Sequence, residues 1–593
     1  MSELLDFTSR SVKKTSTTLA FLLSSALAAG ATRITPLHPE TVEQGIVEAH
    51  RAGEHRIVIP PGTYRFSPHG RPVHLEFQDI SDLTIDAVGV QFVFTDQTRG
   101  GIAFRDCRNV RFSGATIRYQ TPPFTQAVVE STDRGGASYV VRIEKGYPTN
   151  LDDPRYFPTQ PIGYLFDPQT RWWKPGAYDL YGTGIKRIGP DRFRVDWNRS
   201  QPAASGDLVA FRGSGPHNIT LVNCTRMQLT DLTIYNAGAF ALWESQGDGD
   251  NRYTLAVKRG PRPPGASTNP LLSSTADAFH SVEMRRGPTL EHCEFESMGD
   301  DGIAIHGIYS FVFEARGNRL VVNHNSFRRG DPLRLLDPDG RPVSEAVVES
   351  VRPLDNFTNT RKSRRTTLSD NTAGPFFEIT LDRPLAADFD YLASNPAANG
   401  SGYVLRGNTI RNHRARGMLL KADRGLIEDN TIDGSTMGGI VLTPEFWWNE
   451  ASYSRNVTIH HNTIRHTAYA PDQLGGVVIA AIENAPLSGY GHQHIVLENN
   501  RFENINGVNL LITSATDVLV KDNIFIHAQH ARTSVAGANW GEYAGALIFV
   551  TEADPVRFEN NVAEDLGPFQ QDLIHATPSG RIEGAGPGIR IGK

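Results

Sequence analysis

Residues 403–433 read YVLRGNTIRNHRARGMLLKADRGLIEDNTID. Short apolar alternations flank an asparagine, and then the pattern starts again, with Asn408 and Asn430 22 residues apart. Alternation of period two marks a strand with one buried face. The same unit recurs in NVTIHHNTIRH (456–466), HIVLENNRFENI (494–505), VLVKDNIFIHA (518–528) and VRFENNVAED (556–565). Asn462, Asn500 and Asn523 hold the equivalent place, the last two 23 residues apart. Upstream, FRDCRNVRFSGATIRY (104–119), LVNCTRMQLTDLTIYN (221–236) and SVEMRRGPTLEHCEFES (281–297) follow a similar plan around Cys107, Cys224 and Cys293. A repeat of this length matches one coil of a β-helix, and asparagines stacked at a bend hydrogen-bond along the stack. The expected fold is therefore all-β, a right-handed parallel β-helix, with longer gaps such as Asn430 to Asn462 marking loops inserted into a coil.

Outward from this core, PETVEQGIVEAHRAGEHRIVIPPGTYRF reads as a helix carrying Val42, Ile46 and Ala49 on one face, ended by Gly53 and followed by two strands. Such a helix caps the open end of the stack. Residues 120–215 and 311–400 carry strand-like runs without the asparagine repeat, and each has the size of a small inserted β-barrel or sandwich, the alternative being long irregular hairpins. The organisation read from these breaks is a signal peptide over 1–28, a cap and first coils over 33–119, an insertion over 120–215, central coils over 216–310, a second insertion over 311–400 and C-terminal coils over 401–593. The signal reading rests on Lys13 and Lys14, an apolar run over 19–29 and the small residues around Ala26 and Ala28. It implies export to the periplasm or outside.

The chain has 593 residues and a formal net charge of −6, which gives no basic field for nucleic acid or an anionic membrane. The three cysteines show no metal or redox spacing and read as small buried hydrophobes. No cofactor is implied.

The chemistry gathers at ESMGDDGIAIHG (296–307). Asp300 and Asp301 are adjacent, and Asp277 lies 23 and 24 residues before them, one coil away. Strands on neighbouring coils sit roughly 4.7–4.9 Å apart, so three carboxylates converge on one patch, with His280 and His306 beside them. Clustered carboxyls split their protonation states, which suits a general acid and a base. A glycosidase uses such a pair, at roughly 6.5–9.5 Å for inversion and about 5–5.5 Å for retention. Neighbouring residues share a site only where the backbone bends, which Gly299 and Gly302 permit. The plain alternative for any one aspartate is a solvated turn or a core position. Downstream, GGIVLTPEFWWNEASYSRNVTI places Glu445, Trp447, Trp448 and Glu450 in a loop between strands, a composition that stacks on and hydrogen-bonds sugar rings or covers the end of a groove. Lys421 and Arg416 are the cations within reach of that groove.

DAFH, DDGIAIHG one coil later and VLTPEFWWNEASYSRNVTIHHN together resemble glycoside hydrolase family 110. The resemblance covers most of the chain after the signal segment and is densest over 275–310 and 403–465. It implies a secreted β-helix α-galactosidase with small barrel insertions that releases terminal α-1,3-linked galactose with inversion. It also implies that Asp277, Asp300 and Asp301 supply acid and base, of which we take Asp277 and Asp301 as the pair, and that Glu445, Trp447, Trp448 and Glu450 bind the sugar; His280, His306 and Lys421 join these as substrate-binding candidates by their places beside the acids and the groove. The expected partner is a glycan ending in α-galactose, with no nucleic acid and no membrane; the oligomeric state, a homodimer included, is open. A polygalacturonase-like hydrolase is the enzymatic alternative and calls for a basic Arg-x-Lys pair beside the acids, which the sequence around 300 does not supply. A non-catalytic carbohydrate-binding β-helix is the third reading.

Overall fold

A computed structural model describes residues 32–33, 39–359, 361, 374–473, 475–483, 485–533, 545–583 and 588–592. The signal segment lies outside them. Parallel strands stack in three faces per coil: Val404–Arg406 pairs with Leu426–Glu428, Thr409–His413 with Thr431–Ser435, and Met418–Leu420 with Ile440–Leu442, all at an offset of 22 residues. Successive coils place like residue on like. Ile410, Ile432, Ile464, Phe502 and Phe525 form one buried column, and Phe502 stacks on Phe525 at 4.6 Å. The helix Pro39–Arg51 buries Val42 and Ile46 at the N-terminal end of this core.

The asparagines form the ladder that their spacing predicts. Asn408 N donates to Asn430 Oδ1 at 2.9 Å, and its Nδ2 reaches the same oxygen at 2.9 Å and Leu290 O at 3.0 Å. Asn430 repeats this on Asn462, Asn462 on Asn500 and Asn500 on Asn523. Asn561 extends the run beyond Asn523. At the other end Cys293 N donates to Asn408 Oδ1 at 2.9 Å, so the buried cysteine takes the asparagine's place on the ladder. All three cysteines are free and buried.

Two closed six-stranded barrels leave the helix. The first runs from Phe124–Thr132 to Leu208–Arg212 around Tyr139, Phe193, Trp197 and Phe211. The second runs from Ser310–Arg316 to Leu392–Ser394 around Leu320, Leu333 and Ile379. Each therefore has its own apolar core and stands as a folded wall beside the helix.

Candidate active site

Strand Phe279–Val282 pairs in parallel with Ile303–Ile308, with Phe279 opposite Ile303. The bridge between Ser274 and Met298 carries the same offset, so Asp277 lies beside Asp301 rather than Asp300. One coil further on, Ile303 pairs with Met418, which brings Arg416 beside Asp301. Asp300 and Asp301 sit in a bend ahead of their strand, and the left-handed residue there is Ser297, at φ 58°. The glycines serve another purpose. A Cβ on Gly299 would meet Thr275 O at 2.6 Å, and one on Gly302 would meet Gly417 O at 2.4 Å, so both are needed for close approach of neighbouring coils.

Oxygens of Asp277, Asp300 and Asp301 lie within 4.8 Å of one another. Asp277 and Asp301 are buried, while Asp300 stands partly open. Asp301 Oδ1 accepts from Arg416 N–H at 2.7 Å and faces Arg416 Nε at 3.3 Å. Arg416 continues to Glu445 Oε1 at 2.8 Å. Lys421, fully buried, joins Glu445 Oε2 at 3.0 Å and Glu450 Oε2. Asp300 pairs with Arg414, which also grips Asp179 at 2.7 Å. Asp179 belongs to the first barrel, just ahead of its strand Leu180–Arg187. These oxygens are of the hard kind that a divalent cation takes, but guanidinium groups already hold Asp300 and Asp301; the set fits ion pairs, not a metal.

The histidines form a chain. His306 Nδ1 lies 2.7 Å from Gly307 O, which only accepts, so that nitrogen donates. His306 Nε2 and His280 Nε2 face each other at 3.0 Å, so only one of them carries hydrogen. His280 Nδ1 is 2.7 Å from Asp277 Oδ2, and Asp277 Oδ1 accepts from Asp301 N–H at 3.2 Å. Every proton arrangement that satisfies this chain gives Asp277, His280 and His306 together zero net charge, which is one proton more than an ionised carboxylate with two neutral imidazoles. Burial pushes both imidazoles down to about 4. Burial, with the charges of Asp300 and Glu450, pushes Asp277 well above the ordinary carboxyl range. The proton therefore resides on Asp277, which donates to His280. Burial also raises Asp301, against the pull of Arg416. A neutral Asp277 puts no like charge beside Asp301, and the two contacts from Arg416 favour the carboxylate form there. Burial alone would raise Glu450; His306, once charged, and Lys421 beside it hold it well below the usual range.

The structure brings Asp277, His280, Asp300, Asp301, His306, Lys421, Glu445 and Glu450 together. Trp447 and Trp448 are 46% and 57% exposed on the short 3-10 turn Phe446–Trp448, between Glu445 and Glu450. That turn is anchored by Phe446, buried against Tyr309. Arg414 and Asp179 are absent from the sequence reading. Together with Arg416, Arg414 makes an Arg-x-Arg pair beside the acids, 115 residues beyond Asp301 in the case of Arg416. The coil register at Met418 is the signal that finds it; Asp179, carried in by an insertion, has none.

The family model described as "Right handed beta helix region" matches residues 397–568. "Alpha-1,3-galactosidase B" of Akkermansia muciniphila is 24% identical over 516 residues, covering 79% of this chain; the chain spans 61% of that protein's length. "Alpha-1,3-galactosidase B" of Bacteroides fragilis is 22% identical over 537 residues, covering 80% of this chain and 86% of that protein. Among solved structures, the A-module of a mannuronan C-5 epimerase from Azotobacter vinelandii aligns over 94% of this chain and 96% of that one, at 10% identity and a TM-score of 0.35. The family resemblance read from the sequence is thus met by relatives that carry the α-1,3-galactosidase name, to which this β-helix chain is similar along about 80% of its length.

Proposed function

We propose that the chain is an exported, exo-acting glycoside hydrolase, an inverting α-galactosidase that cleaves terminal α-1,3-linked galactose. The observation that carries the reading is the placing of Asp277 and Asp301 side by side on adjacent coils, Asp277 bonded into the histidine chain and Asp301 bonded to Arg416. In this reading Asp277 is the general acid for the leaving oxygen and Asp301 is the base that takes a proton from water. Asp300, held by Arg414, adds negative charge beside the reacting carbon. Five carboxylates (Asp179, Asp300, Asp301, Glu445 and Glu450) face three cations (Arg414, Arg416 and Lys421). This surplus of negative charge favours an oxocarbenium-like transition state, which gains positive charge as the bond breaks.

The same count weighs against uronate substrates. Arg414 and Arg416 are the kind of basic pair that a polygalacturonase-like site requires, yet both are already bound by carboxylates, and Lys421 is enclosed. An acidic sugar would meet net repulsion; a neutral galactoside would not.

The aspartate oxygens approach more closely than the usual inverting separation, so inversion rests on the family resemblance. Proton NMR of fresh α-1,3-galactobiose hydrolysis tests it. Galactose should appear first as the β-anomer. The α-anomer first would make the enzyme retaining, and no turnover of any α-galactoside would refute the galactosidase reading.

A further inference from the structure

The first barrel meets the helix face across a cleft of about 160 Å³. Barrel residues Tyr164, Trp173, Tyr178, Asp179 and Tyr181 form one wall, and Met437 and Tyr469 of the helix form the other. The joint is fixed on both sides of the cleft. Tyr178 Oη donates to Asp472 Oδ2 at 2.7 Å, and Trp173 Nε1 donates to Asn412 O at 3.4 Å. Two short bridges tie the cleft to the acids. Asp179 shares Arg414 with Asp300, and Met437 Sδ lies 3.8 Å from Arg416 Nη1, whose guanidinium faces Asp301. The cleft therefore begins one arginine side chain away from both aspartates.

Its walls have the chemistry of a sugar site. Aromatic faces take the apolar side of a pyranose ring, and a carboxylate and hydroxyls take its OH groups. The Tyr469 hydroxyl is buried and has no hydrogen-bond partner, a group left costly unless something fills it. Glu445 and Lys421 are buried and, with the partly open Glu450, are closed into ion pairs of their own, so the sugar beyond the cleaved bond is placed in the open cleft.

We propose that the cleft is the subsite for the sugar to which the cleaved residue is attached, a neutral hexopyranose, and that the first barrel selects the glycan through it. The proposal rests on the glycosidase reading, and its test separates the two. Tyr469→Phe and Tyr181→Ala are compared with wild type on α-1,3-galactobiose and on α-galactosyl fluoride, whose leaving group is too small to fill the cleft. Each variant should lower kcat/KM for galactobiose by about tenfold, the loss of one hydrogen bond or ring contact, while hydrolysis of the fluoride stays within about twofold. Equal losses on both substrates, or no loss on galactobiose, overturn the subsite. If wild type hydrolyses neither substrate, the galactosidase reading has failed, and calorimetric titration of lactose into wild type and both variants decides the cleft alone. Binding that the variants weaken supports it; no binding, or binding the variants leave unchanged, overturns it.

Discussion

Replacing Asp277 by asparagine tests the proton count at the centre of the site. In the folded chain Asp277, His280 and His306 hold one proton more than a carboxylate with two neutral imidazoles, because each of the three links to Gly307 O needs its own hydrogen. In the unfolded chain the carboxyl is ionised above about pH 3.9 and both imidazoles are neutral above about 6.5. A carboxyl raised by folding contributes stability that is complete below its unfolded value and is lost as pH climbs toward its folded value. Above about pH 6.5 the folded trio thus binds one proton more than the unfolded one, and this element loses about 1.4 kcal/mol of stability per pH unit. The Asp277→Asn side chain makes the same two bonds: its amide donates to His280 and its oxygen accepts from Asp301 N–H. It has no proton to lose. Relative to wild type, the variant should gain stability as pH rises from about 6.5, by up to about 2.7 kcal/mol over two pH units. Urea unfolding of both proteins in parallel at about pH 6.5, 7.5 and 8.5 measures that difference, and contributions from the other titrating groups cancel in it. A difference that does not change with pH would falsify the count and place an ionised carboxylate beside two neutral imidazoles.

The same variant separates acid from base. Asp277→Asn should lose at least about a thousandfold in kcat on α-1,3-galactobiose but far less on α-galactosyl fluoride, whose leaving group needs no proton, whereas Asp301→Asn should lose heavily on both; the reverse pattern would exchange the two roles. Lys421→Met leaves Glu445 and Glu450 buried against each other without their shared cation, and should cost about 3–5 kcal/mol of unfolding free energy, or be partly relieved at low pH as they protonate; a loss below about 1 kcal/mol would show that water reaches the cluster. Asn462→Ala removes the acceptor for Asn430 N–H and the donor to Ile427 O in the buried ladder, and should cost about 2–4 kcal/mol by urea unfolding. Stability within about 0.5 kcal/mol of wild type would mean that the ladder records the fold without holding it.

What the sequence discloses depends on how far apart in the chain the interacting residues lie. The ladder is legible because Asn408 and Asn430, or Asn500 and Asn523, are separated by one uninterrupted coil, so the stacking contact imposes a visible repeat. Asp277 and Asp301 are legible for the same reason. The next rung is not: the second barrel intervenes between Asp301 and Arg416, and the coil that joins them spans 115 residues instead of about two dozen. An Arg-x-Arg pair that would stand beside the acids in a plain solenoid therefore reads as part of an unrelated segment. Asp179 is further out of reach. Its partner Arg414 is 235 residues away, and the barrel that carries it has its own core, whose pattern of Tyr139, Phe193 and Trp197 reports only on the barrel. Within the bend the residue types mislead in a different way. Gly299 and Gly302 suggest a need for unusual backbone angles, but the left-handed residue is Ser297, and the glycines answer to carbonyls of neighbouring coils that no local pattern reveals. The portion of the site that belongs to the repeat can be read from spacing. The portion displaced by an insertion can be read only from register, and it holds the cations paired with Asp300 and Asp301, while Asp179, carried by a barrel, leaves no such signal.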